Sequence, residues 1–172
     1  MQRNVEIKAR VPDISEVFPK VAAIATDGPS EIHQDDIFFQ CRSGRLKIRT
    51  FADGTGELIF YRRADVKGPK ESAYVLSPTS SPESLREALS SAYGEAGRIR
   101  KLRTLFLVGR TRVHLDRVEG LGHFVELEVV LAKGEPSPTG VQEAYRLLER
   151  LGIHQSQLLE GAYLDLLPNS ER

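Results

Sequence analysis

Asn4-Val5-Glu6-Ile7-Lys8-Ala9-Arg10-Val11 alternates polar and apolar side chains without a break. A period of two puts Val5, Ile7, Ala9 and Val11 on one face of an extended chain and the amide and charges on the other. The pattern returns along the sequence. Leu46 and Ile48 alternate with Arg45, Lys47 and Arg49, and Leu58 and Phe60 with Glu57, Ile59, Tyr61 and Arg63. Leu102, Phe106 and Val108 lie opposite Lys101 and Arg103, while Val113 and Leu115 face away from Arg112, His114 and Asp116. Val125, Leu127, Val129 and Leu131 oppose Glu126 and Glu128. With 70–76 and 35–40 as further strands, about eight are expected, joined mostly by short hairpin turns and therefore largely antiparallel.

Four helices are expected around them. Residues 15–26 follow Asp13 and Glu16 at capping-box spacing, and 82–93 opens on Pro82 and stops at Gly94. Residues 139–151 carry Thr139 and Gln142 at the same spacing and end at Gly152; 156–167 is the fourth. The Ser- and Pro-rich stretch 77–82 and the Gly/Pro/Ser-rich stretch 133–139 read as connectors, so 1–172 is taken as one α+β domain.

The composition is that of an ordinary globular chain: 172 residues, 40% hydrophobic, 28% charged. A domain of this length buries roughly 70% of its unfolded surface, so it needs no staples. Lys plus Arg and Asp plus Glu cancel at 24 each, which argues against a protein that coats nucleic acid. No apolar run approaches the roughly 20 residues of a membrane span, Met1-Gln2-Arg3-Asn4 opens no signal peptide, and the single Cys41 suits a reducing compartment. The expectation is a cytoplasmic protein without a membrane partner.

A charged face on an antiparallel sheet is ordinarily just solvated. Here it holds few Ser, Thr or Gln, and it is rich in Arg, whose rigid fork of donors suits phosphate oxygens. It also carries ten cations (Lys8, Arg10, Arg45, Lys47, Arg49, Arg63, Lys70, Lys101, Arg103 and Arg112) against five carboxylates, Glu6, Glu57, Asp116, Glu126 and Glu128. Like charges on one surface repel. Closing the sheet into a barrel would bury them, which is tolerable when an anion such as a polyphosphate fills the space. Glu126 and Glu128 point the same way and can hold a hard dication together with Glu6 or Asp116; Mg²⁺ takes one or two carboxylates plus phosphate oxygens. Cations for phosphates beside carboxylates for a metal are the equipment of phosphoryl transfer.

These residues resemble a known family. Asn4-Val5-Glu6-Ile7-Lys8 is similar to the E-x-E-x-K motif of the CYTH superfamily, the triphosphate tunnel metalloenzymes. Gly44-Arg45-Leu46-Lys47-Ile48-Arg49 and Lys101-Leu102-Arg103 resemble its further basic strands, and Arg112 to Asp116 with Gly120 to Glu128 its closing acidic hairpin. The resemblance spans roughly residues 4–165. It implies an eight-stranded antiparallel β-barrel that binds a triphosphate with Mg²⁺ or Mn²⁺. Its members include inorganic triphosphatases, thiamine triphosphatases and class IV adenylyl cyclases. One position departs: Asn4 stands where the motif has its first Glu, offering a carbonyl oxygen but no charge.

The resulting expectation is a metal-dependent phosphohydrolase of an inorganic, thiamine or nucleoside triphosphate. A class IV adenylyl cyclase and a non-catalytic polyphosphate binder stay open as alternatives. Lys8, Arg45, Lys47, Arg49, Arg63, Lys101, Arg103 and Arg112 are the substrate-binding candidates, with Arg63 preferred to Arg62 by parity. Glu6, Asp116, Glu126 and Glu128 are the metal candidates, and Lys8, Glu6 and Glu128 the catalytic ones. His114 is assigned a supporting position, and His33, His123 and His154 loop or surface positions. Tyr163 is left between closing a tunnel mouth and packing in the core, and a homodimer is left open. Cys41 has no His partner and is not read as a nucleophile.

Overall fold

Each alternating segment forms a strand, and the strands close on one another. The structure, a computed structural model, describes residues 1–168. In chain order the elements are β1 (Gln2–Val11), α1 (Ile14–Ala22), β2 (Asp27–Phe39), β3 (Arg45–Phe51), β4 (Gly56–Arg63), β5 (Lys70–Thr79), α2 (Pro82–Tyr93), β6 (Glu95–Val108), β7 (Thr111–Val118) and β8 (Gly122–Val130). They are followed by α3 (Ser137–Leu151), a 3₁₀ turn (Gln155–Gln157), the two-residue β9 (Leu158–Leu159) and α4 (Tyr163–Leu166). The hydrogen-bonded order is β5-β4-β3-β2-β6-β7-β8-β1. Pairing of β1 with β5, from Gln2 opposite Tyr74 to Glu6 opposite Lys70, closes an eight-stranded barrel in which every pairing is antiparallel. This is the triphosphate-tunnel α+β fold.

Closure gives the two strand faces different fates. The apolar parity points outward and is covered by helices. Val5, Ile7 and Ala9 of β1, Val113 and Leu115 of β7, and Val125, Leu127 and Val129 of β8 pack with Ile14, Val17 and Val21 of α1 and Ala144, Leu147, Leu148 and Leu151 of α3. Each fully buried aliphatic chain here contributes about 1.5–3 kcal/mol. Helix α2 lays Leu85 and Leu89 against Ile37, Phe39 and Ile48. The polar parity, Asn4, Glu6 and Lys8 included, is left to line the inside.

The C-terminal segment shuts one end. Tyr163, Leu164 and Leu167 pack with Phe38, Ile99, Val118 and Phe124. β9 pairs with Lys8 and Ala9 of β1 and holds the segment in place.

Several expectations are corrected. The fourth helix, 156–167, is a 3₁₀ turn, a short strand and a single turn of helix, because Gly161 takes a positive φ of 78° in its middle. The connector 77–82 is strand as far as Thr79, with Pro78 paired opposite Glu57. The strand read at 35–40 begins at Asp27, since β2 follows β6 almost to its end. Helix α1 spans Ile14–Ala22 instead of 15–26, and Asp13 Oδ1 caps it by accepting from Ser15 N. Helix α3 starts at Ser137, so Thr139 lies inside it and is no cap. His123 lies on β8, where its Nδ1 accepts from Ile14 N. Among the described residues no helix is long and apolar enough to cross a membrane.

Helix α3 meets the barrel closely at Gly140. A Cβ there would lie 2.8 Å from Val5 Cγ2 and 2.9 Å from Leu131 Cδ2. Gly140→Leu is therefore expected to cost about 1–3 kcal/mol by overpacking, despite leucine's better helix propensity. An unchanged urea midpoint would contradict this account of the contact.

Candidate active site in the barrel lumen

The barrel encloses a cavity of about 360 Å³, within the range of small-ligand sites. Seven cations line it (Lys8, Lys47, Arg49, Arg63, Lys101, Arg103 and Arg112), together with the carboxylates Glu6, Asp36, Glu57, Glu126 and Glu128. The two signs are unevenly spread over the strands. β3 and β6 supply Lys47, Arg49, Lys101 and Arg103, whereas β1 and β8 supply Glu6, Glu126 and Glu128.

The basic wall is organised around an acid that the sequence reading did not select. Asp36 of β2 is 1% exposed, and three cations converge on it. Lys47 Nζ lies 2.6 Å from Oδ2, Arg49 donates to Oδ1 at 2.7 Å and to Oδ2 at 2.8 Å, and Lys101 Nζ lies 3.4 Å from Oδ2. Burial pushes the Asp36 carboxyl up, yet these neighbours hold it well below the usual carboxylate range. Burial lowers Lys101 to about 7 and Lys47 to about 8, with neighbouring arginines adding to the fall and Asp36 opposing it. The basic wall is thus a crowded charge cluster in which two amines are poised to lose or regain a proton near neutrality. Asp36 was missed because Asp35 and Asp36 are adjacent and equally acidic. Only the register, with Asp36 opposite Arg49 and Ile99, shows which one faces inward.

Arg103 links this wall to the acidic one. It donates to both oxygens of Asp116 at 2.7 Å and reaches Glu126 Oε1 at 3.2 Å. Lys8 Nζ lies 3.2 Å from Glu126 Oε2 and 3.9 Å from the Tyr163 ring centroid. Arg112 donates to Glu128 Oε2 at 2.7 Å, and Arg63 pairs with Glu6. Burial raises Glu126, but Lys8, His114 and Arg103 outweigh it and keep the carboxyl well below its usual value. The pairings also correct the charge count from the sequence. The interior is largely self-compensated, and three of the ten expected cations lie elsewhere. Arg10 donates to Leu121 O at 2.8 Å, Lys70 to Val66 O at 2.8 Å, and Arg45 makes a two-pronged pair with Asp165 at 3.0 and 2.6 Å.

Asp116 has the inward parity but is fully buried, with its oxygens taken by Arg103 and by the Tyr163 hydroxyl at 2.7 Å. Tyr163 therefore closes one end of the lumen and holds a buried carboxylate at once. Glu6 sits directly opposite Glu128 in register, a like-charge pair that a sheet tolerates poorly. Beside them Asn4 Oδ1 is buried and, among the described residues, has no hydrogen-bond partner. Rich in carboxylate and amide oxygens and partly unsatisfied, this corner fits a hard divalent cation. Away from Tyr163, the lumen parity of β2, β3, β5 and β6 ends in Ile32, Phe51, Leu76 and Leu105, an apolar patch on a mouth that also carries Glu57 and Arg112.

Asp36→Asn leaves three buried cations facing one another. Its expected cost is about 3–5 kcal/mol, read as a lower urea midpoint at unchanged slope. A loss below about 1 kcal/mol would show that Asp36 does not organise the wall.

Comparison with known proteins follows the same lines. The chain is 26% identical to an adenylate cyclase of Aeromonas hydrophila over 176 residues, covering 97% of this chain and 90% of that one. A Pyrococcus horikoshii protein of solved structure superposes with a TM-score of 0.86 at 20% identity, covering 96% and 99% of the two chains. A Hippeastrum protein assigned as an adenylyl cyclase, whose structure report describes a dominant triphosphatase activity, superposes with a TM-score of 0.63 at 17% identity over the whole of both chains. The family model for the CYTH domain matches residues 2–163, and the chain belongs to that family.

Proposed function

We propose that the protein is a divalent-metal-dependent hydrolase of a triphosphate bound inside the barrel. The observation that carries this reading is a wall of Lys47, Arg49, Lys101 and Arg103 facing a wall of Glu6, Glu126 and Glu128 across one enclosed cavity. On binding, the cations exchange partners: their donors turn from Asp36, Glu6, Glu126 and Glu128 to phosphate oxygens. Of the carboxylates so released, Glu6, Glu126 and Glu128 are the residues that would hold the dication, with the amide oxygen of Asn4 beside them. A bound Mg²⁺ or Mn²⁺ supplies charge compensation at the phosphate oxygens and the leaving group.

The chain's own residues do the rest. Arg49 and Arg103, with fixed planar donors, orient the phosphates, and Lys8 neutralises charge at the end closed by Tyr163. A water attacks the terminal phosphorus in line and the bond to the bridging oxygen breaks. Orthophosphate leaves, and the rest of the substrate departs as a diphosphate. The apolar patch of Ile32, Phe51, Leu76 and Leu105 favours a substrate with an organic end over bare tripolyphosphate.

The name of the Aeromonas relative favours a second reading, in which the ribose hydroxyl of ATP attacks the α-phosphorus and pyrophosphate is released. Products separate the two. Incubation with ATP, thiamine triphosphate and tripolyphosphate in Mg²⁺ or Mn²⁺ is expected to release orthophosphate, and Glu126→Ala or Glu128→Ala to reduce that release at least about a hundredfold. Cyclic AMP with pyrophosphate would replace the hydrolase by a cyclase. Tight binding without turnover would leave only a binder.

The two depressed lysines of the basic wall give a separate signature. At pH 8 much of the charge on Lys101, with its pKa near 7, is absent, and an incoming phosphate restores it by drawing a proton from solvent. Calorimetric titration with tripolyphosphate at pH 8, in buffers of different ionisation enthalpy, should register net uptake of up to about one proton. Lys101→Arg, which is always charged, should remove most of it. Equal uptake in the variant would place the proton elsewhere.

A further inference from the structure

The sequence gives His114 only a supporting position, yet it stands among the acidic residues. It is 4% exposed, lines the lumen from β7, and lies opposite Glu126 of β8 in register. Its Nδ1 is 3.1 Å from Glu126 Oε1, and among the described residues no other hydrogen bond engages the ring. One donor atom from each of His114, Glu126 and Glu128 can be chosen so that all three lie within 4.8 Å of one another. Two ligands about 2.1–2.2 Å from a shared ion and at right angles stand about 3 Å apart, which is the separation found between the imidazole nitrogen and Glu126. Independently, the Asn4 amide oxygen, on a residue only 3% exposed, faces the same cavity with no partner among the described residues, two residues along β1 from Glu6, which lies opposite Glu128.

We infer that His114, Glu126 and Glu128 form a mixed nitrogen–oxygen metal site, selective for first-row transition dications over Mg²⁺. The reason is ligand chemistry. Mg²⁺ takes oxygen donors and parts reluctantly with water, whereas imidazole favours Mn²⁺, and still more Co²⁺, Ni²⁺ and Zn²⁺, following the usual affinity order. Asn4 adds a neutral amide oxygen to the same lumen, at the level of Glu6 and Glu128. Lys8 and Arg103 contact Glu126, and Arg112 contacts Glu128, so the site strengthens when a triphosphate draws those cations away.

This rests on the metal-dependent reading above, and the test separates the two. The full chain is loaded with Mn²⁺ in the presence of tripolyphosphate and studied by electron spin-echo envelope modulation. The expected result is a ¹⁴N coupling of a directly coordinated imidazole, absent in His114→Ala and His114→Gln. In titrations, His114→Gln should weaken Co²⁺ at least tenfold while changing Mg²⁺ by less than threefold. Mn²⁺ bound in a manner lost in Glu128→Ala, but without nitrogen coupling in the wild type, would overturn the role of His114 and leave the metal reading standing. A coupling that persists in His114→Ala would place the nitrogen elsewhere and also overturn it. No protein-bound Mn²⁺ at all would overturn both.

Discussion

A closed barrel turns one parity of every strand into an interior, and an interior must neutralise whatever charge it contains. That constraint governs this protein. Isolated buried ions cost several kcal/mol each even after relaxation, so seven inward cations persist only because carboxylates meet them: Asp36 at the centre of the basic wall, Asp116 behind Arg103, and Glu6, Glu126 and Glu128 across the cavity. The apolar parity, covered by α1, α2 and α3, supplies the free energy that holds such a costly lumen together.

The same pairings make the lumen responsive. An ion pair between two protein groups can be exchanged for two ion pairs with a bound salt, cations to an anion and carboxylates to a dication, without leaving a charge bare. A metal–polyphosphate complex brings both signs at once. The proposed function draws on that match. The lysines with depressed pKa values add a third adjustable partner, the proton.

The C-terminal segment makes the tunnel one-ended. Arg45 grips Asp165, Arg63 donates to Gly161 O at 2.5 Å, and the Tyr163 hydroxyl donates to Asp116. Two of the barrel's own arginines are thus spent on holding the closure, and Tyr163 couples it to the carboxylate that orients Arg103. The charged band lies between the open mouth and this closed end.

Strand alternation, the apolar outer face, the inward parity of Glu6, Lys8, Arg49, Arg63, Arg103, Glu126 and Glu128, and about eight strands were all legible in the residues, because a period of two is a local property of an extended chain. Asp36 was not legible, since Asp35 and Asp36 differ only in which way the register turns them. Nor was the fate of Arg10, Arg45 and Lys70, which share the inward parity but stand near strand ends, where parity no longer decides what a side chain touches. The last segment misled for a related reason: its apolar residues suit a helix as well as a stopper, and the difference lies in the cavity they fill. The sequence by itself determined which face of each strand is charged. Only the tertiary structure decided which opposite charges become neighbours, because cross-strand pairing joins residues as far apart in the chain as Lys8 and Glu126, and no local pattern carries that distance.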